Sequence, residues 1–308
     1  MFRFITPPSL SRPGARSAEF KPGSSVLISQ RLLIATADDF GASIEVNEAV
    51  ARAFQEGILR FASLMVDGPA ALDAVARARA MPTLGVGVHL VLCEEHPARW
   101  GLRLLRETAQ RRRVEEVMAA QIERFLSWGL VPTHLDSHLN VHVHPAVFPA
   151  LVRLARRYDI RRIRWPGGEL RPSLAYDATG VPGQAALACA YAGLRLAQGW
   201  RAHGIDLVRA YGMLRSGLMD EDYLVWLIRR LPPGLTEIYL HPSQEPASAV
   251  AGRPTPTHRC VTELRGLLSP RVRQALREEG VELLTRARPV AGGPMRRSES
   301  PFPPKPAP

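Results

Sequence analysis

The stretch HLDSHLNVHVHP, residues 134–145, sets His134, His138, His142 and His144 within eleven positions, beside Asp136 and Asn140, in a chain with nine histidines. Imidazoles and carboxylates gathered in this way are the donors that bind a divalent ion and move protons near neutral pH. The polar residues fall on even numbers while Leu135, Leu139, Val141 and Val143 are odd, which is the period of an extended segment. A helix would instead stack 134, 138 and 142 on one face. Pro132 and Pro145 bracket the run, Pro145 reads as the first residue of the next helix, and the β-branched valines favour the extended form. Same-face residues on a strand lie roughly 6–7 Å apart, whereas a metal–imidazole bond is about 2 Å. One ion therefore takes at most one or two of these histidines and draws its other ligands from elsewhere.

The elements that could deliver those ligands are read from the alternation of apolar runs and amphipathic stretches. LLIATA (32–37) precedes a helix through VNEAVARAFQEG that stops at Gly57; FASLMV (61–66), a helix opened by Pro69, and GVGVHLVL (85–92) follow. The long helix VEEVMAAQIERFLSWG leads to THLDSH, and PAVFPALVRLARRYD leads to RRIRW (161–165). A weak strand near DLVRAYG, a helix near DEDYLVWLIRRL, TEIYLHP, and VELLT after a last helix complete the order. This predicts an α/β fold, a distorted (β/α) barrel of seven or eight parallel strands with the active site at the strand carboxyl ends. The polar residues collect at those ends: Asp38 and Asp39 after LLIATA, His89 after GVGV, the 134–144 cluster, Arg164, and His241 after EIYL.

The net charge of +11 sits mostly outside this alternating region. Residues 1–31 and 285–308 each hold five Lys or Arg and one Glu, so the tails carry +8 and the body +3. Prolines crowd the same tails. The chain divides into a basic disordered tail (1–30), a single barrel domain (31–288) and a Pro-rich disordered tail (289–308). No RNA-binding signature accompanies the basic residues, so nucleic acid is not an expected partner; the tails suit peripheral contact with a membrane. MFRFITPPSLSRPG lacks the apolar core of a secretory signal, and Cys93, Cys189 and Cys260 have no paired spacing. A cytoplasmic protein, at most resting on the inner membrane face, is expected, and a homodimer is compatible with the sequence.

At TADDFG, GVHL, HLDSHLNVH and the later HP, over roughly residues 31–285, the chain resembles the YdjC-like family of carbohydrate deacetylases, whose best-known members act on chito-oligosaccharides. Its details look most like the branch associated with hopanoid biosynthesis. The resemblance implies a distorted βα barrel holding one divalent ion, Mg or Zn foremost, through Asp39, His89 and His138. It implies Asp38 as catalytic base and His241 as acid. His142 matches a family histidine near the ion, while Leu139 and Asn140 stand where sugar-specific relatives carry further histidines. That departure points toward an N-acetylglucosaminyl glycolipid, and Leu92, Leu139 and Trp165 could wall its approach. His134, Asp136, His142 and Arg164 are then substrate contacts or supports of the ligands, and His144 is left unassigned.

These residue types suit amide hydrolysis, in which both the carbonyl and the attacking water need activation and the amine must leave protonated. Arg164 could orient Asp38 by paired hydrogen bonds and keep it ionised. Three other readings use the same residues: a ferrous oxygenase, which also employs two His and one carboxylate; a metal-dependent phosphoester hydrolase, for which Asp136 and His134 are surplus donors; and a non-catalytic glycolipid-binding protein.

Overall fold

A computed structural model describes residues 30–93, 97–177, 182–244 and 257–286. Nearly all of both expected tails lies outside the described residues. The elements alternate as β1 (Arg31–Phe40), α1 (Ile44–Glu56), β2 (Phe61–Leu64), α2 (Ala71–Ala80), β3 (Gly85–Leu90), α3 (Pro97–Arg106), α4 (Thr108–Ser127), β4 (Leu135–Ser137) and α5 (Phe148–Arg157). They continue as β5 (Arg162–Pro166), α6 (Leu170–Tyr176), α7 (Pro182–Gln198), β6 (Asp206–Tyr211), α8 (Glu221–Ile228), β7 (Gly234–Leu240), α9 (Thr257–Leu268), α10 (Pro270–Glu278) and β8 (Val281–Leu283).

Every strand pairing is parallel. Strands β2 through β7 follow one another in chain order, and β1 closes the ring by pairing with both β7 and β2. The result is a closed barrel of seven parallel strands wrapped by helices, with β8 added to β1. β8 pairs with Arg31–Leu33, whereas β2 pairs from Thr36 onward. β1 thus serves three strands. Helix α1 illustrates the outer layer: Ser43 caps it by accepting from the Val46 amide, and Val46, Ala49, Val50 and Ala53 bury one face at helical spacing.

The alternation in GVGVHL decides what fills the barrel. Val86 and Val88 are buried on one face, while Gly85, Gly87 and His89 share the other. A Cβ on Gly85 would come within 2.3 Å of the Phe61 ring, and one on Gly87 within 2.5 Å of the His134 ring. Only glycine leaves room for these two neighbours, and His89 then stands above them at the strand end. Cys93, Cys189 and Cys260 form no disulfide among the described residues. Among the described residues no helix is long and apolar enough to cross a membrane.

Three sequence readings need correction. Extended backbone in the histidine run stops at Ser137; His138–Val143 form a tight 3-10 stretch in which Leu139 (φ 58°) and Asn140 (φ 53°) are left-handed. A regular period of two therefore does not persist through His144. Helix α5 starts at Phe148, three residues after Pro145. The segment between β5 and β6, to which no helix was assigned from sequence, carries α6 and α7.

Candidate metal and hydrolytic site

Near its end β1 holds an extra residue: Ala37 pairs with Ala62 and Phe40 with Leu64, three steps on one strand against two on the other. Such a bulge re-aims side chains. On a regular strand Asp38 and Asp39 would point to opposite faces. With Asp39 at φ 61°, both carboxylates instead reach one buried centre. The Asn47 side chain braces the turn that follows, accepting from the Gly41 amide at 2.7 Å and donating to the Ala70 carbonyl and to Asp73.

Asp39 Oδ1 lies 3.3 Å from His89 Nε2 and 3.3 Å from His138 Nδ1. His89 comes from the end of β3. Its Nδ1 is held 2.7 Å from Asp136 Oδ1, which fixes the ring with Nε2 toward Asp39. His138 is the first residue past β4, where the left-handed pair Leu139 and Asn140 turns the chain back. Burial, then the charges of His89 and His241, lower the His138 pKa to about 4, so its imidazole is neutral at pH 7.

Beneath this trio Arg164 organises the carboxylates. It projects from β5 into the barrel, fully enclosed, and donates to Asp38 through two bonds of 2.6 and 2.7 Å. It also donates to Glu237 Oε1 at 3.0 and 2.8 Å and lies 2.8 Å from Asp136 Oδ2, while its guanidinium stacks 4.3 Å over the Tyr239 ring. Burial alone would raise the Asp38 and Asp136 pKa values, but Arg164 foremost and His89 next outweigh it, and both carboxyls stay below their ordinary range. For Glu237 burial wins and its pKa is raised. Ser63 donates to Asp136 at 2.6 Å and stands 3.0 Å from His134 Nε2.

Across the site His241 follows β7. Its Nε2 is 4.0 Å from Asp38 Oδ2, and its Nδ1 is 3.4 Å from Ser216 Oγ and 3.8 Å from Glu263 Oε2. Glu263 also accepts the backbone N–H groups of His241 and Gly217, each at 2.6 Å. One buried carboxylate so ties the loop after β6 to the loop after β7. Tyr239 OH accepts from Asn140 at 3.1 Å, linking the turn behind His138 to β7.

The structure therefore gathers Asp38, Asp39, His89, His138, Arg164 and His241 at the carboxyl ends of five strands. The residues read as substrate contacts or supports of the ligands lie deeper. His134, Asp136, His142 and Arg164 are 3%, 0%, 0% and 1% exposed and bonded inward. His142 spans Ser137 Oγ and the Arg164 carbonyl, both at 2.8 Å, and burial lowers its pKa to about 4. His134 fills the space left by Gly87. These four support the site from below. Trp165 is not a wall of the approach either: it is enclosed, edge-on to Phe148 at 4.9 Å. His144 packs edge-on to Trp100 at 6.3 Å. Sequence reading missed Ser63, Glu237 and Glu263. The one cue for Glu237 is a charged residue on the same strand face as Leu235 and Tyr239 in GLTEIYL.

The donor set fits a divalent cation. Two donors about 2.0–2.2 Å from a shared ion stand roughly 3.0–3.6 Å apart at ordinary coordination angles, which is the spacing of Asp39 from both imidazoles. One carboxylate with two imidazoles also accepts zinc, magnesium or similar ions without redox chemistry. A second grouping of possible donors, Asp38, His89 and Asp136, overlaps the first, but both of its carboxylates are already engaged by Arg164.

Fold and site define a parallel βα-barrel protein in which an Asp–His–His cluster that could hold a cation stands beside a carboxylate facing a histidine. The chain belongs to the YdjC-like protein family, whose sequence profile matches residues 32–278. It is 35% identical over 270 residues to a carbohydrate deacetylase of Geobacillus stearothermophilus, covering 83% of this chain and 96% of that one. It is 30% identical to the carbohydrate deacetylase of Brevibacillus brevis over 82% of this chain and 97% of the relative. A chitooligosaccharide deacetylase of Salmonella paratyphi B matches at 34% over 42% of this chain and 58% of its own. Among solved structures, an Enterococcus faecalis V583 protein described as a candidate for cellobiose-phosphate cleavage shares the fold, with a TM-score of 0.61 at 22% identity, over 83% of this chain and 97% of that chain.

Proposed function

We propose that this protein is a metal-dependent carbohydrate deacetylase that hydrolyses the N-acetyl group of an amino sugar. The observation that carries this reading is the pairing of an Asp39–His89–His138 donor set with a charged Asp38 and a facing His241, 4.0 Å apart, in a chain whose relatives are named for that activity. Asp39, His89 and His138 would hold the ion, which when bound lowers the pKa of water and stabilises the developing oxyanion. Asp38, oriented and kept ionised by Arg164, accepts the proton of the attacking water. His241, from the opposite side, gives a proton to the departing amine. Asp136 fixes the His89 tautomer.

An N-acetylglucosaminyl hopanoid glycolipid is the substrate favoured by the resemblance, and half-buried Leu139 and Leu92 beside two of the ligands support it. The relatives' names support a chito-oligosaccharide instead. Acetate release from an N-acetylglucosaminyl lipid in detergent and from diacetylchitobiose, at matched low concentration, separates the two. Faster turnover of the lipid is expected. Faster turnover of the free disaccharide removes the lipid and leaves the deacetylase, while phosphate release from a generic ester with no acetate release from either sugar would replace the reading with phosphoester hydrolysis.

A further inference from the structure

We infer that the outer face of α3 and the start of α4 dock on an anionic membrane surface. The inner face of α3 is satisfied by the body of the protein, where Trp100, Gly101 and Leu104 are buried. A Cβ on Gly101 would lie 3.2 Å from the His144 ring, so the helix is already seated as closely as its backbone permits. The opposite face has nothing to gain from the core, yet it displays Leu102 and Leu105, 49% and 55% exposed. With exposed Ala98 they form a stripe at i, i+4 and i+7; exposed Arg99, Arg103 and Arg106 run beside it at the same spacing. Arg111, Arg112 and Arg113 continue the basic run into α4. Residues 97–113 hold six arginines against a single acidic residue, Glu107.

This combination selects its partner by chemistry. Arginines alone would suit any polyanion, but two adjacent leucines gain nothing from a phosphate backbone in water. Lipid offers both halves: apolar side chains enter the boundary between headgroups and acyl chains, and guanidinium groups on long stems reach the phosphates. The placement is also apt. α3 follows β3, whose end carries His89, and Gln121 of α4 pins the strand exit by bonding both backbone groups of Val91, at 2.9 and 2.8 Å. A membrane against α3 would lie beside the rim that holds Asp39, His89 and His138. The inference does not depend on the deacetylase reading, since it concerns adsorption and not turnover.

The test is flotation of the full-length protein with vesicles of phosphatidylglycerol and phosphatidylcholine, and with phosphatidylcholine alone, at low and high salt. Binding to the anionic vesicles, weakened by salt, is expected. Leu102→Ser with Leu105→Ser keeps the charge and both basic tails and is expected to weaken binding at least tenfold, while Arg99→Gln with Arg106→Gln flattens the salt dependence. Unchanged binding of the leucine variant would give adsorption to the tails and overturn the inference, as would a parent protein that ignores anionic vesicles. Should the leucine variant misfold, Leu105→Trp supplies an independent reading: its added fluorescence is expected to be quenched by brominated lipid, and a water-exposed signal on the vesicle overturns the inference. A lipid-free change of oligomeric state in the leucine variant would assign this face to a second copy instead.

Discussion

Arg164 grips Asp38 through two parallel hydrogen bonds of 2.6 and 2.7 Å while contacting Asp136 and Glu237 with the same guanidinium. The charge count of this buried cluster is informative. Asp38 and Asp136 are held below the ordinary carboxylate range and share Arg164 with Glu237, whose pKa burial raises. With Asp39 beside them, carboxylates outnumber the single guanidinium, and a divalent cation beside Asp39 would add positive charge that Arg164 alone does not supply.

Replacing Arg164 should therefore be costly. Arg164→Met leaves buried carboxylates uncompensated and is expected to lower unfolding stability by about 3–5 kcal/mol, measured by urea titration. Arg164→Lys keeps a charge but cannot make two parallel bonds; it is expected to recover part of the stability and little of the turnover. A Met variant within about 1 kcal/mol of the parent would mean that the carboxylates take up protons at little cost.

Asp38→Asn preserves shape and hydrogen bonding while removing the proton acceptor. Loss of a general base typically lowers the rate by about a hundred- to ten-thousand-fold, and that range is expected for acetate release, with ion content unchanged. Near-normal turnover would assign the base to another group.

The ligand assignment makes a separate prediction, read by elemental mass spectrometry of the purified protein. Asp39→Ala, His89→Ala and His138→Ala are each expected to lose the ion, whereas His144→Ala, whose ring lies against Trp100, keeps it. Asp136→Asn removes the acceptor behind His89 and is expected to weaken affinity by about ten- to a hundred-fold. A metal-replete His138→Ala protein contradicts the assignment.

A pH prediction comes from Glu169, away from the cation site. Buried Glu169 accepts the Gly212 and Leu214 amides at 2.7 and 2.8 Å, yet burial raises its pKa from 4.5 to about 7. A folded pKa above the unfolded one means that the fold favours the protonated acid. Its contribution is complete below about pH 4.5 and is lost as pH rises through about 7. Glu169→Gln cannot titrate. The melting temperature of this variant relative to the parent should therefore climb between pH 5 and pH 8, roughly that window, whatever its offset from having one oxygen for two N–H donors. A flat difference disproves the shift.

The residues most legible in the sequence were those whose position follows from alternation. Asp38, Asp39, His89 and His241 each follow an apolar strand, and a parallel barrel brings all such ends to one rim. What alternation cannot convey is local departure from regular backbone. Asp38 and Asp39 face the same centre only through a bulge, and the period of two in HLDSHLNVHVHP suggested a strand that ends at Ser137. Asn140 is a residue type that tolerates left-handed backbone, but nothing marks Leu139. Buried supports such as Ser63, Glu237 and Glu263 stayed hidden because their importance lies in partners distant in sequence: Ser63 serves residues 134 and 136, and Glu263 serves 217 and 241.

The triple pairing of β1 bears on synthesis as well as architecture. The strand that delivers Asp38 and Asp39 precedes all of its partners in the chain, which lie at residues 61–64, 234–240 and 281–283. Parallel pairing over such separations carries a large loop-closure cost that local contacts do not offset. Until β7 is made, the edge of β1 that pairs with it stays open to pairing with other nascent chains. Closure becomes available only once the chain extends past β7. The aspartates of the cation site are thus made early and assembled late, and truncations short of residue 240 should yield aggregation-prone chains without a site.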